Sequence, residues 1–111
     1  MKENIKEIAL SYFQKFSQKN INELRKMFDE NVTLRDWEVN EAGIENVLKA
    51  NSNIFQNVNT IKVIPQNIIS ENHCISAELK IIINNQDELK VVDLIEFNKN
   101  CKIISIKAFK G

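Results

Sequence analysis

The chain has 111 residues, 43% of them apolar and 27% charged, which is ordinary composition for one globular domain able to close a core without metal or disulfides. Fifteen basic residues balance fifteen acidic ones, so no net field draws the chain to nucleic acid or to an anionic membrane. The aromatics are six Phe, one Trp and one Tyr, with no stacking series interleaved with Arg, and no run approaches the length of a membrane-spanning helix.

The first half reads as helices. Ile5, Ile8, Ala9, Tyr12, Phe13 and Phe16 recur at helical spacing and form one apolar stripe, which Ser17-Gln18-Lys19-Asn20 ends. Asn20 is placed to cap a second, short helix, with Glu23 three residues on as in a capping box. Ile21, Leu24, Met27 and Phe28 give that helix its buried side. Asp29-Glu30-Asn31 reads as a turn into a strand over about residues 32–38. A third helix runs from near Gly43 to Asn57, with Ile44, Val47, Leu48, Ile54 and Phe55 inward.

After residue 58 the pattern changes to β. Ile61, Val63 and Ile68-Ile69 mark a long strand that Pro65 bends or confines to a sheet edge. Glu71-Asn72 makes a turn. Residues 74–83 alternate, with Ala77, Leu79, Ile81 and Ile83 on one face and Glu78 and Lys80 on the other. Asn84-Asn85-Gln86-Asp87 is a hairpin turn between that strand and the next, over residues 88–98. Lys99-Asn100 turns into a last strand over 102–110. Three helices with one inserted strand, then four antiparallel strands, make an α+β arrangement. A twisted sheet of this kind curls over the helices into a cone whose mouth is a natural ligand cavity.

Three polar residues fall where this pattern makes them costly. Tyr12 lies on the apolar stripe of the first helix, so its hydroxyl needs a partner or a cavity. Asp36 shares its strand face with Val32 and Leu34, while Thr33, Arg35 and Trp37 share the other. Asp93 interrupts Val91-Val92-Asp93-Leu94-Ile95 in mid-strand, where Asp is disfavoured. A carboxyl drawn into an apolar interior finds a hydrogen-bond partner or shifts toward its neutral form. One phenol and two carboxyls facing one cavity could move protons. The structural alternative is a core tyrosine, an Asp that caps a loop or pairs with Lys, and an Asp bonded to backbone donors.

Two stretches carry a resemblance. The series from Tyr12 through Phe28, continued by Asp29-Glu30-Asn31-Val32-Thr33-Leu34-Arg35-Asp36, resembles the opening of SnoaL-like, nuclear transport factor 2-like domains. The stretch from Val91 to Phe109, with a strand bearing Asp93, a tight turn and then Lys102-Ile103, resembles their end. Within that superfamily the pattern is similar to ketosteroid isomerase, which has Tyr on its first helix, a base Asp on its first strand and a protonated Asp on a late strand. Tyr12, Asp36 and Asp93 fall on those positions, and the resemblance implies them as catalytic residues. Asp36 would move a proton between carbons beside a carbonyl, while Tyr12 and neutral Asp93 would stabilise the enolate oxygen. The implied fold is cystatin-like: a cone-shaped curved antiparallel sheet over three N-terminal helices, with residues 1–111 as one SnoaL-like domain.

The chain departs from the isomerase pattern in several places. Trp37 stands where the isomerases carry Pro after the base. Leu79, Ile81 and Ile83 replace rings that line the steroid cleft, and Lys110 replaces a late pocket ring. A cation near the mouth suits a smaller or anionic ligand. The turn glycine is Cys101, leaving Asn100 as the residue expected to turn left-handed. Trp37 is expected to face outward. Domains of this type commonly pair through the outer sheet face, where Ile82, Val92 and Leu94 would supply an apolar patch, so a homodimer is expected. A non-catalytic dimerising or accessory module is the alternative reading.

No cofactor is implied. His73, the single histidine, reads as a surface residue beside a turn, and with two separated cysteines it gives zinc no ligand set. Only Gly43 and Gly111 are glycine, so no loop can cradle a nucleotide phosphate. The opening Met1-Lys2-Glu3-Asn4-Ile5-Lys6-Glu7 carries acids and no apolar signal core. A cytoplasmic location is therefore expected, with Cys74 and Cys101 as free thiols.

Overall fold

The computed structural model describes residues 4–111, so the reading of Met1, Lys2 and Glu3 lies outside the described residues. Helix α1 (Ile5–Ser17) starts at Asn4, whose side chain accepts from the Lys6 N–H at 3.0 Å. It ends where Lys19 turns left-handed (φ 57°) and the Lys19 and Asn20 N–H groups close onto the Phe16 and Lys15 carbonyls. Helix α2 (Ile21–Met27) is capped by the Asn20 side chain on the Glu23 N–H, as the sequence predicts. Only half of the capping box forms, because the Glu23 carboxylate pairs with Lys26 instead.

Phe28, expected on the buried side of α2, opens strand β1 (Phe28–Arg35), which takes in Asp29-Glu30-Asn31 rather than leaving them as a turn. Residues 36–39 then close a hairpin onto a short strand unforeseen in the sequence, β2 (Asn40–Ala42). Gly43, at φ 91°, begins α3 (Ile44–Asn57) in a conformation that L side chains rarely adopt. Strands β3 (Ile61–Glu71), β4 (Cys74–Ile83), β5 (Asp87–Phe97) and β6 (Ile103–Lys110) follow in an antiparallel meander.

The six strands form one curved, open sheet in the order β2-β1-β6-β5-β4-β3. One pairing departs from the all-antiparallel expectation: β1 lies parallel to β6, with Leu34 opposite Ile106. The long connection through α3 and the meander brings the chain back to β1 in the same direction. Pro65 sits on the edge strand β3, where the register shifts between Pro65 and Asn67, so its missing N–H disrupts no central ladder.

The helices cover the concave face. Phe13, Leu24, Val32, Val47, Ile75, Ile95 and Ile103 are almost completely buried there. Burial of each large apolar side chain stabilises by about 1.5–3 kcal/mol. Polar ties fix the helices to the sheet. Ser17 Oγ donates to the Phe13 carbonyl and accepts from the Val63 N–H, joining α1 to β3. Lys19 Nζ donates to the carbonyls of Phe55, Val58 and Asn59, satisfying orphan acceptors in the last turn of α3 and just beyond it.

Cys101, not Asn100, takes the left-handed position before β6, at φ 62°. The Asn98 side chain accepts from the N–H groups of Asn100 and Lys102, and the Cys101 N–H closes onto the Asn98 carbonyl. These bonds set the turn around residue 101 whatever side chain stands there. Both cysteines are unpaired and His73 is exposed. No helix among the described residues is long and apolar enough to cross a membrane.

Candidate active site

Tyr12 projects from the buried face of α1, beside Ala9 and Phe13. Its ring packs against Phe13, Phe16 and Phe28, with centroids 5.5, 6.0 and 6.1 Å away, so three neighbours fix where the hydroxyl points. Asp93 stands on the inward face of β5 between buried Val91 and Ile95. Its cross-strand partners are Ala77 on β4 and Ala108 on β6. Methyl groups on both sides leave the space above the carboxyl open.

Asp36 lies one residue beyond β1 and opens the hairpin loop. Its N–H donates to the Val39 carbonyl at 2.9 Å, and its Oδ1 accepts from the Glu38 and Val39 N–H groups at 2.7 and 2.6 Å. This Asx turn is the loop-capping role that the sequence left open for Asp36, and it also orients the carboxylate. The two N–H donors engage Oδ1 and leave Oδ2 as the oxygen available to a ligand.

All three groups line one cavity of about 220 Å³ between the helices and the concave sheet. Its walls are otherwise chiefly aliphatic, with Ile61, Leu79, Ile81 and Val91 among them. Tyr12 and Asp93 both border the cavity. Burial, reinforced by the negative charge of Asp36, lifts the Asp93 carboxyl to about 7. Burial and then the Asp93 charge push the Tyr12 phenol far above its usual range. At neutral pH, Tyr12 is a neutral donor and Asp93 is divided between its protonated and ionised forms.

Two expectations at the rim change. Trp37 was expected to face outward on the strand, but β1 ends at Arg35 and Trp37 borders the cavity at its exposed end. Lys110 lies with Nζ 5.8 Å from the Trp37 ring and is not among the cavity-lining residues. The lining residues include three carboxylic acids, Asp36, Glu38 and Asp93, and no Lys, Arg or His. The cation expected to favour an anionic ligand therefore lies over the Trp37 ring and outside the cavity lining.

One lining residue escaped the sequence reading. Asn51 on α3 is 2% exposed, borders the cavity, and has no hydrogen-bond partner for its Nδ2. The signal was available: Asn51 lies four residues from both Val47 and Phe55, on the stripe assigned to the core. Asn46, Asn53 and Asn57 on the same helix made one more Asn look ordinary.

Order and curvature of the elements can be compared with solved structures. An NTF2-like protein of unknown function from Cytophaga hutchinsonii superposes on 100% of this chain and 93% of its own, with TM-score 0.83 and 14% identity. The chain has the nuclear transport factor 2-like fold. A protein from Shewanella denitrificans classed as a SnoaL-like polyketide cyclase matches 96% of this chain and 90% of its own at TM-score 0.86 and 10% identity. One from Kribbella flavida classed with the ketosteroid isomerases matches 96% and 77% at TM-score 0.84 and 12% identity. The sequence itself matches no family model and no curated protein. Identities this low carry the fold and leave activity to be argued from the site.

Proposed function

We propose that this chain is a small-molecule-binding domain that moves a proton beside a carbonyl group, in the manner of a cofactor-free isomerase. The observation that carries the reading is that Tyr12, Asp93 and Asp36 all line one largely apolar cavity. Asp36 Oδ2 would remove a proton from the carbon next to the carbonyl, leaving an enolate. Tyr12 and protonated Asp93 would donate to the enolate oxygen, and Asp36 would return the proton to a second carbon. Two structural neighbours, one classed with the ketosteroid isomerases and one as a SnoaL-like polyketide cyclase, support a small-molecule reading of the cavity.

The cavity volume supports a small substrate. At ~30 Å³ per water, about seven waters would fill it, and it falls below the ~300–1,000 Å³ of drug-sized ligand sites. A neutral carbonyl compound fits better than an anion, because the charged groups at the wall are carboxyls. The decisive test is double-bond migration in small unsaturated ketones, with exchange of the α-hydrogen in heavy water as the second readout. Wild type should catalyse both, and Asp36→Asn should lower both by at least about 100-fold. Equal rates in the two proteins, or none in either, would remove Asp36 as a base.

A second reading, a non-catalytic dimerising or accessory module, is favoured by two observations. Asp36 already has a structural task in the hairpin loop. On the outer sheet face, exposed Val92 lies directly opposite exposed Phe109, an apolar pair that a second copy of this chain would cover. Pairing and catalysis are compatible, so the proton-transfer assay separates the readings.

A further inference from the structure

The cavity has a second polar point that the proton-transfer reading does not use. Asn51 is almost wholly buried on α3, an element that supplies none of the three proton-handling groups. Its Nδ2 is shut away from solvent without an acceptor. An unpaired buried amide is costly, and native proteins leave few of them. The neighbouring positions on the same stripe, Val47, Leu48 and Phe55, are apolar and fully packed. An aliphatic residue at position 51 would extend that core, so the amide has no packing rationale.

The other walls supply no partner either. The other lining residues are chiefly aliphatic side chains of β3, β4 and β5, and neither the Tyr12 phenol nor the carboxyls of Asp36, Glu38 and Asp93 accept from Nδ2. An amide offers a donor and an acceptor together, and which atom points inward can be exchanged by a flip. It therefore matches a hydroxyl, which both gives and takes a hydrogen bond, or a second carbonyl. It repels neither and carries no charge, in keeping with a wall that lacks basic groups.

We propose that Asn51 is a second anchor in this cavity, and that the ligand is an uncharged small compound bearing a second oxygen function besides its carbonyl, a hydroxyketone or a diketone. The carbonyl lies toward Tyr12 and Asp93, and the second oxygen is held by the Asn51 amide. This rests on the carbonyl-binding reading of the same cavity. Asn51 is a binding and specificity residue here and takes no part in proton transfer.

The test is an NMR titration with cyclohexanone and with its 2-, 3- and 4-hydroxy derivatives, on wild type, Asn51→Leu, Asn51→Ala and Tyr12→Phe. At least one hydroxyketone should bind wild type about tenfold more tightly than cyclohexanone. Both Asn51 variants should lose that gain, measured as the ratio of hydroxyketone to cyclohexanone affinity within each variant, and Asn51→Leu should melt at the same temperature or higher. Tyr12→Phe should weaken cyclohexanone and hydroxyketone alike. Retention of the hydroxyketone gain in both Asn51 variants would overturn the proposal, as would cyclohexanone binding that Tyr12→Phe weakens with no hydroxyketone preference in wild type. Loss of all affinity in wild type would overturn the carbonyl-binding reading along with it.

Discussion

Replacing Asp93 by Asn should abolish a pH dependence of stability that the wild-type protein carries between about pH 5 and about pH 8. Burial and the Asp36 charge hold the Asp93 proton up to about 7, whereas the unfolded chain releases it near 3.8. Across that interval the native state binds a proton that the unfolded state does not. The stabilisation is complete below the unfolded value and is lost as pH rises through about 7. At about 1.4 kcal/mol per unit, the two units above pH 5 amount to roughly 3 kcal/mol, against a total of ~5–15 kcal/mol for a typical domain. The carboxyls of Glu23 and Glu45 are shifted downward by their pairs with Lys26 and Arg25, so they act at lower pH, outside this window. Urea unfolding at half-unit intervals, read as the difference between wild type and Asp93→Asn, cancels every other titrating group. Wild type should lose roughly 3 kcal/mol relative to the variant from about pH 5 to about pH 8, and Asp36→Asn should move the midpoint of that loss downward. Parallel profiles for wild type and Asp93→Asn would refute the claim that burial and the Asp36 charge hold the Asp93 proton up to about 7.

Three further outcomes follow from single contacts. Lys19→Met removes an ammonium that donates to three carbonyls around the end of α3, and should cost about 1.5–3 kcal/mol in urea unfolding. A loss under about 0.5 kcal/mol would mean that water satisfies those carbonyls equally well. Cys101→Gly relieves a left-handed backbone at φ 62° and should stabilise by about 1 kcal/mol, seen as a melting rise of about 4 °C. Phe109→Lys places a charge in the exposed apolar pair with Val92. Where two copies pair through this face, as the accessory-module reading proposes, it should shift sedimentation from dimer to monomer while leaving the circular dichroism spectrum unchanged, and a wild type that sediments as a monomer would remove the pairing.

The helical stripe, the edge position of Pro65 and the alternation in β4 and β5 were legible because each depends on local periodicity, which one sequence displays directly. The inward face of Asp93 was legible for the same reason. What escaped depends on tertiary pairing. Strand β2 is three exposed residues with no pattern of its own, and it exists because Asp36 closes the loop that folds it back on β1. The parallel meeting of β1 and β6 joins segments about 70 residues apart, which no local signal records. Alternation carried past Arg35 puts Trp37 on an outward strand face, and the Asx turn at Asp36 ends that alternation.

Asp36 and Asn51 together show why the site was only half legible. Asp36 could be found because an acid after an apolar alternation is anomalous, yet its two hydrogen bonds within the loop came from backbone the sequence could not position. Asn51 gave the opposite case: an unremarkable residue in an Asn-rich helix, made anomalous only when the fold buried it at the cavity wall and left its Nδ2 without a partner. The cost of a polar group depends on what surrounds it, so pattern finds those that break a stripe and packing finds those left unsatisfied. In this cavity the two criteria select different residues on different elements. A ligand that touches both would explain why an otherwise apolar chamber retains polar groups at separate points of its wall.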